Sequence, residues 1–252
     1  MKRNFKLVME YDGTGYHGWQ RQKDLPTVQG TIETRLKTMT GQSVTVIGSG
    51  RTDAGVHALN QVANFVVETN LTADIFKRGL NSLLPPDIVI KACQQVDAAF
   101  HARYDAVSKT YDYHLLNHPV RAALLRHFAW HIRKPLDEKA MRVAMECLKG
   151  RHDFSAFEAV GSPRSHSVRM ALHVNLTARD SKGYLVFSME ADGFLRSMVR
   201  NIVGTLVDVG VGRISPERFK DVLASKDRKQ AGITAPPQGL FLREVKYQHA
   251  SG

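Results

Sequence analysis

Three stretches of this chain carry side chains able to do chemistry. GSGRTDAGVHA, residues 48–58, sets Arg51, Asp53 and His57 among three glycines that let the backbone turn sharply and display them. It lacks the G-K-[ST] ending of a triphosphate-cradling loop. An aspartate beside glycine also serves as a turn or N-cap residue, and spacing alone leaves both readings open. DGTGYHG, residues 12–18, is a literal G-x-G-x-x-G, but Trp19, Gln20, Arg21 and Gln22 intervene before Pro26, where a dinucleotide fold would open a helix at once. That loop offers stacking faces at Tyr16 and Trp19 and donors at Gln20, Arg21 and Gln22 suited to bases and phosphates. Its plainer reading is an ordinary loop around a half-buried tryptophan. Arg200 lies inside the apolar run FLRSMVRNIVGTLVDVG, where a guanidinium needs an anionic partner, functional or structural.

The eleven histidines are scattered, with no H-E-x-x-H, no C-x-x-C and no paired Cys/His spacing, so no metal site is expected. His101-Ala102-Arg103 could line an RNA groove. The formal net charge of +11 favours a polyanionic partner. Residues 1–118 carry 13 basic and 11 acidic side chains, so +9 of that surplus falls on residues 119–252. Hydrophobic residues at 43% and charged residues at 23% fit a soluble globular chain. No stretch reaches the roughly 18 apolar residues of a membrane span, and the apolar run near the N-terminus is only a strand's length. Two cysteines, Cys93 and Cys147, far apart in sequence, point to a reduced, cytoplasmic protein.

The elements that must hold these groups follow from periodicity. FKLVMEYDG reads as a strand, and a helix begins after Thr27 with Val28, Ile32, Leu36 and Met39 on one face. SVTVIGSG and QVANFVV read as strands, TADIFKRGLNSLL as a helix opened by Thr72, and DIVIKACQQV as a strand. The second half repeats the scheme with SKTYDYHLLN, LDEKAMRVAMECLKG, RMALHVNLTA, GYLVFSMEA, FLRSMVRNIVGTLVDVG and GLFLREVKY, plus an extra helix at SPERFKDVLAS. The expectation is an α+β chain of two ferredoxin-like βαββαβ units, residues 1–107 and 108–252.

YDGTGYHGWQRQ, GRTDAGVHALNQVANF, FHARYDAVSKTYDYHL, FLRSMVRNIVGTLVDVG and PPQGLFLREVKY, in that order, resemble the TruA family of tRNA pseudouridine synthases across nearly the whole chain. The resemblance implies that the mixed sheets of the two units flank a central active-site cleft. It implies isomerisation of uridine to pseudouridine at positions 38, 39 and 40 of the tRNA anticodon stem-loop, by a cytoplasmic homodimer with no cofactor and no metal. Asp53 falls on the catalytic aspartate, Tyr111 on the active-site tyrosine and Arg200 on the basic residue that pairs with the aspartate. Arg51 matches an RNA-contacting arginine, and Leu240 or Leu242 the apolar contact to the base. Trp19, Gln20, Arg21, His57, His101, Arg103, Lys109 and Arg169 complete the expected substrate-binding set. Lys109 stands where many members carry arginine. The alternatives are a noncatalytic RNA-binding module, for which the RNP1 aromatic signature is absent, and a nucleotide-dependent enzyme built on the two Gly-rich loops.

If about five phosphates are neutralised on binding tRNA, log K against log[salt] should slope near −3.5 to −4.5. A salt titration of tRNA affinity measures this, and a flat dependence would mean that the basic surplus does not contact RNA.

Overall fold

The computed structural model describes residues 1–159, 161, 166–179 and 183–248. The chain is α+β. Its elements run β1 (Lys2–Tyr11), α1 (Val28–Thr40), β2 (Ile47–Gly48), β3 (His57–Glu68), α2 (Ala73–Leu83), β4 (Ile88–Val96), β5 (Ala106–Asn117), β6 (Trp130–Ile132), α3 (Glu138–Met145), β7 (Gly150–Asp153), β8 (Val168–Ala178), β9 (Tyr184–Ala191), α4 (Met198–Gly210), α5 (Pro216–Ser225) and β10 (Leu240–Tyr247). Two compact units result: one of Met1–Val107 with the chain from Phe241 onward, the other of Ser108–Leu240.

In the first unit β1 lies between β4 and β3, antiparallel to both, and β2 pairs with the far edge of β3. The order β4-β1-β3-β2 is that of a ferredoxin-like βαββαβ unit. Alternation along β1 buries Phe5, Leu7, Met9 and Tyr11. Thr27 caps α1, its hydroxyl accepting from the Gly30 N–H, and Thr72 caps α2 in the same way through Ile75. The sequence suggests a full strand over residues 43–50, yet β2 has only two residues. The cause is Glu33, a carboxylate buried on α1. It accepts from the Val46 N–H at 2.9 Å while Gln29 donates to the Val46 carbonyl at 3.1 Å, so helix side chains take the bonds a strand ladder would use.

The closing strand, grouped with the second half on sequence, belongs with the first unit from Phe241 onward. It runs parallel to β3, with Phe241 opposite His57 and Leu242 opposite Ala58. Phe241 also stacks on the His57 ring at 4.7 Å.

In the second unit β5, β9, β8 and β7 form an antiparallel sheet in that order, and β6 adds in parallel to β5. β6 and β7, three and four residues long, are too short to show as periodic runs. The helix expected to reach Gly150 ends at Met145 in a 3₁₀ turn, and Gly150 adopts φ +96°, from which no helix continues. α4 starts at Met198 rather than Phe194, because Ser197 sits in the left-handed region at φ 59°. α4 is buried almost all round, with α3 and α5 packed on it. Cys93 and Cys147 are free thiols, one in each unit. Among the described residues no helix is long and apolar enough to cross a membrane.

Gly204 of α4 supports the main chain of Ile233 so closely that a β-carbon there would meet the Ile233 carbonyl oxygen at 1.8 Å. Gly204→Ala should therefore cost about 3 kcal/mol, the upper end for overpacking, and lower Tm by roughly 6 to 12 °C. Gly15→Ala, which meets nothing within 4 Å, is the control for the same thermal melt and should change little.

Candidate active site

The residues named on sequence fall into two groups, each built inside one unit. Asp53 lies on the loop between β2 and β3 in the first. Thr52 anchors that loop: its hydroxyl pairs with the Tyr11 hydroxyl at 2.8 Å and its carbonyl accepts from the Trp19 N–H at 3.0 Å. Burial pushes the Tyr11 hydroxyl up to about 12 against the hydrogen bonds from Thr52 and Gln61, so it is a neutral partner here. Gln61 reaches in from β3, donating to the Gly50 carbonyl and accepting from the Ser49 hydroxyl. The Val56 N–H closes a turn onto the Asp53 carbonyl at 3.2 Å, and the Gly55 N–H reaches the Tyr16 carbonyl. Asp53 is left half-buried and Arg51 exposed, one side chain in a restricted setting and the other open to a large ligand.

The glycines of both loops are steric requirements. A β-carbon on Gly13 would lie 2.0 Å from the Val56 carbonyl oxygen, and one on Gly18, whose φ is +88°, 2.5 Å from that of Thr52. Trp19 fills the space over Gly48, where a β-carbon would meet its indole at 2.5 Å. This corrects one expectation: Trp19 is 3% exposed, so it is a wall of the loop and presents no stacking face to a base. Tyr16 is buried as well, its hydroxyl donating to Asp87 at 2.7 Å. His57, 1% exposed, is likewise no surface contact. Its Nδ1 accepts from the Gly13 N–H at 3.0 Å with the Asp12 carboxylate 3.1 Å away, which ties the two Gly-rich loops together.

Gln20 is exposed, and Arg21 keeps a largely exposed side chain while one end pairs with Glu33 at 3.1 Å. His101 and Arg103 lie in a tight turn. The His101 Nδ1 accepts from the backbone N–H groups of Arg103 and Tyr104, and its ring stacks on Tyr104 at 4.2 Å.

In the second unit Tyr111 sits on β5 opposite Met189 of β9, 7% exposed, with Phe194 edge-on at 4.8 Å. Phe194 was not singled out on sequence, because it lies before a helix whose start the pattern places too early. Lys109 pairs with Ala191 on the same strands, and Arg169 packs its stem over Gly193, donating to the Val168 carbonyl at 2.6 Å. Arg200 is half-buried on the first turn of α4, and its Nε donates to the Ala235 carbonyl at 2.8 Å. The Tyr113 hydroxyl, pushed up by burial with the Arg200 guanidinium pulling partly back, donates to the Pro236 carbonyl at 2.7 Å. Gly239 lies flat against the Tyr113 ring, and the chain then enters β10 at Leu240. Leu242 is wholly buried and Leu240 nearly so, at 7% exposure. Among the described residues no group of three or more His, Cys, Asp or Glu is gathered as a metal site would require.

A family model described as tRNA pseudouridine synthase matches residues 7–105 and 144–248. Curated relatives named tRNA pseudouridine synthase A include one from Acetivibrio thermocellus, 49% identical over 245 residues, and one from Thermoanaerobacter sp., 47% identical over 245 residues. A tRNA pseudouridine synthase A 2 from Clostridium perfringens is 45% identical over the same length. Each alignment covers 97% of this chain and 100% of the relative. The chain belongs to the tRNA pseudouridine synthase family.

Gly13→Ala should disturb function more than folding, since it wedges the Asp53 loop away from its support. Displacement of a reacting group by about 1 Å can cost on the order of 100-fold, and single-turnover pseudouridine formation should fall at least about 10-fold in protein that still melts cooperatively. A normal rate in the folded variant would show that the loop can move without consequence.

Proposed function

We propose that this chain isomerises uridine to pseudouridine in tRNA, at positions 38, 39 and 40 of the anticodon stem-loop. The observation that carries the reading is the end-to-end similarity to tRNA pseudouridine synthases together with Asp53 standing half-buried on the braced loop. In this reaction the N1–C1′ bond breaks, the uracil turns within the site, C5 bonds to C1′, and the proton lost from C5 is balanced by one gained at N1. No electrons, phosphoryl group or water are exchanged overall, so the balance calls for no cofactor.

Each role follows from chemistry the side chain has. The Asp53 carboxylate attacks a sugar or base carbon, or removes a ribose proton. Tyr111 offers a ring face to the base and a hydroxyl for proton transfer from C5. Arg200 supplies a cation to the reaction, and Leu240 the apolar contact to the uracil. A uridine in a stem or loop must be extruded at a cost of a few kcal/mol, which contacts to phosphates offset. Arg51, Gln20, Arg21, Arg103, Lys109 and Arg169 are the groups for those contacts, with His101 setting the turn that carries Arg103. The working form is a cytoplasmic homodimer, and tRNA is its macromolecular partner.

Asp53→Asn should abolish pseudouridine formation and leave tRNA affinity within about threefold, because the amide keeps the shape and loses the charge and nucleophilicity. Substantial turnover by this variant, with deamidation ruled out by mass, would take Asp53 out of the reaction.

A further inference from the structure

We infer that Arg228 is a positioning residue for the isomerisation: with Asn201 and Thr234 it clamps residues 231–236 onto α4, so that the Ala235 carbonyl holds the Arg200 guanidinium in one plane. The inference rests on the role proposed for Arg200.

Arg228 lies just beyond α5, in a stretch that on sequence looks like a solvated basic segment. Its guanidinium is instead turned inward. Nη1 donates to the carbonyls of Ala231 at 3.3 Å and Gly232 at 2.9 Å, and Nη2 to Asn201 Oδ1 and Thr234 Oγ1, both at 3.1 Å. Thr234 Oγ1 donates to the same Asn201 oxygen at 2.7 Å. Asn201 follows Arg200 on α4, is wholly buried, and is itself fixed by donation from Nδ2 to the Phe157 carbonyl at 2.8 Å. One residue of α4 thus carries the knot, and its neighbour carries the functional cation.

The segment clamped by the knot is the one that orients that cation. The Ala235 N–H donates to the Arg200 carbonyl at 3.0 Å and the Ala235 carbonyl accepts from Arg200 Nε at 2.8 Å, a reciprocal pair. The Nε–H bond lies in the guanidinium plane, so fixing its direction restricts how the planar fork can rotate. Gly204 and Thr205 complete the seat, the first by having no side chain under Ile233, the second by accepting the Gly232 N–H at 2.9 Å. Because Thr205 and Tyr113 hold the same segment independently, loss of Arg228 leaves it attached but free to shift at Ala235. A lysine cannot replace the fork: three donors on one tetrahedral nitrogen do not span four acceptors arranged for a planar guanidinium.

The test uses the full-length protein and an intact tRNA substrate, with single-turnover pseudouridine formation at saturating enzyme, tRNA affinity and thermal melting followed in parallel. Arg228→Lys and Thr234→Val should each slow the single-turnover rate by about 10-fold or more, with affinity within about twofold and a cooperative melt. Arg200→Lys should slow it too. The double variant Arg200→Lys/Arg228→Lys should be no slower than Arg200→Lys alone within about twofold, since groups acting as one unit are not additive. Arg218→Met, which removes an exposed bond to Gln230 just before that segment, should keep the wild-type rate. If Arg228→Lys fails to fold, Thr234→Val and its double with Arg200→Lys decide by the same criteria. Normal rates in folded Arg228→Lys and Thr234→Val beside a slow Arg200→Lys overturn the clamp while leaving the role of Arg200 standing. Multiplying effects in the double variant also overturn it. A normal rate in Arg200→Lys removes the proposed role of Arg200, and the clamp with it.

Discussion

Gly13 lies so close to the Val56 carbonyl that a β-carbon would sit 2.0 Å from its oxygen, and Gly18 stands in the same relation to Thr52 at 2.5 Å. At these two points main chain rests directly on main chain, and the placement of Asp53 depends on it. The loop after β1 and the loop before β3 behave as one body because nothing larger than hydrogen separates them. Hydrogen bonds then lock the arrangement: Trp19 to Thr52, Thr52 to Tyr11, Gly13 to His57, Gly55 to Tyr16. Each contributes only about 1 kcal/mol net. Their larger effect is geometric, since they fix the stretch of main chain that carries Asp53.

The second unit solves the same problem with the same means. Gly204 and Gly239 let a loop and a strand entry settle onto α4 and onto Tyr113, and a buried polar group organises what lies above. In the first unit that group is Glu33, which takes the Val46 N–H, a Gln29 amide and Arg21. In the second it is Asn201. Both sit on helices whose inward positions are otherwise mostly apolar, where an unpaired polar group is costly and a fully bonded one fixes a single arrangement.

Much of this was open to reading from the chain alone. The caps at Thr27 and Thr72, the alternation of β1 and the apolar face of α1 are local signals, and they specify the elements that appear. What escaped depends on partners far away in sequence. SVTVIGSG has the composition of a strand, but Glu33 and Gln29 take the backbone groups of Val46. Trp19 and His57 are chemically able to meet a ligand, yet contacts with Gly48 and Gly13, far away in sequence, hold them inside. Arg228 looks like surface charge because its acceptors are three carbonyl or amide oxygens and a hydroxyl, none of which marks itself in a sequence as an arginine partner. For Asp53, Tyr111 and Arg200 the motifs give residue identity, and the structure adds the bracing around each.

The parallel pairing of β10 with β3 brings residues 241 and 242 beside residues 57 and 58, after an entire unit has intervened. On the ribosome this sets an order of events. The Asp53 loop leads directly into His57, and His57 has no Phe241 to stack on until the final strand has left the exit tunnel. The first unit therefore waits through the synthesis of the second with the His57–Ala58 end of β3 lacking this parallel partner, and a chain interrupted anywhere before residue 241 never gains it.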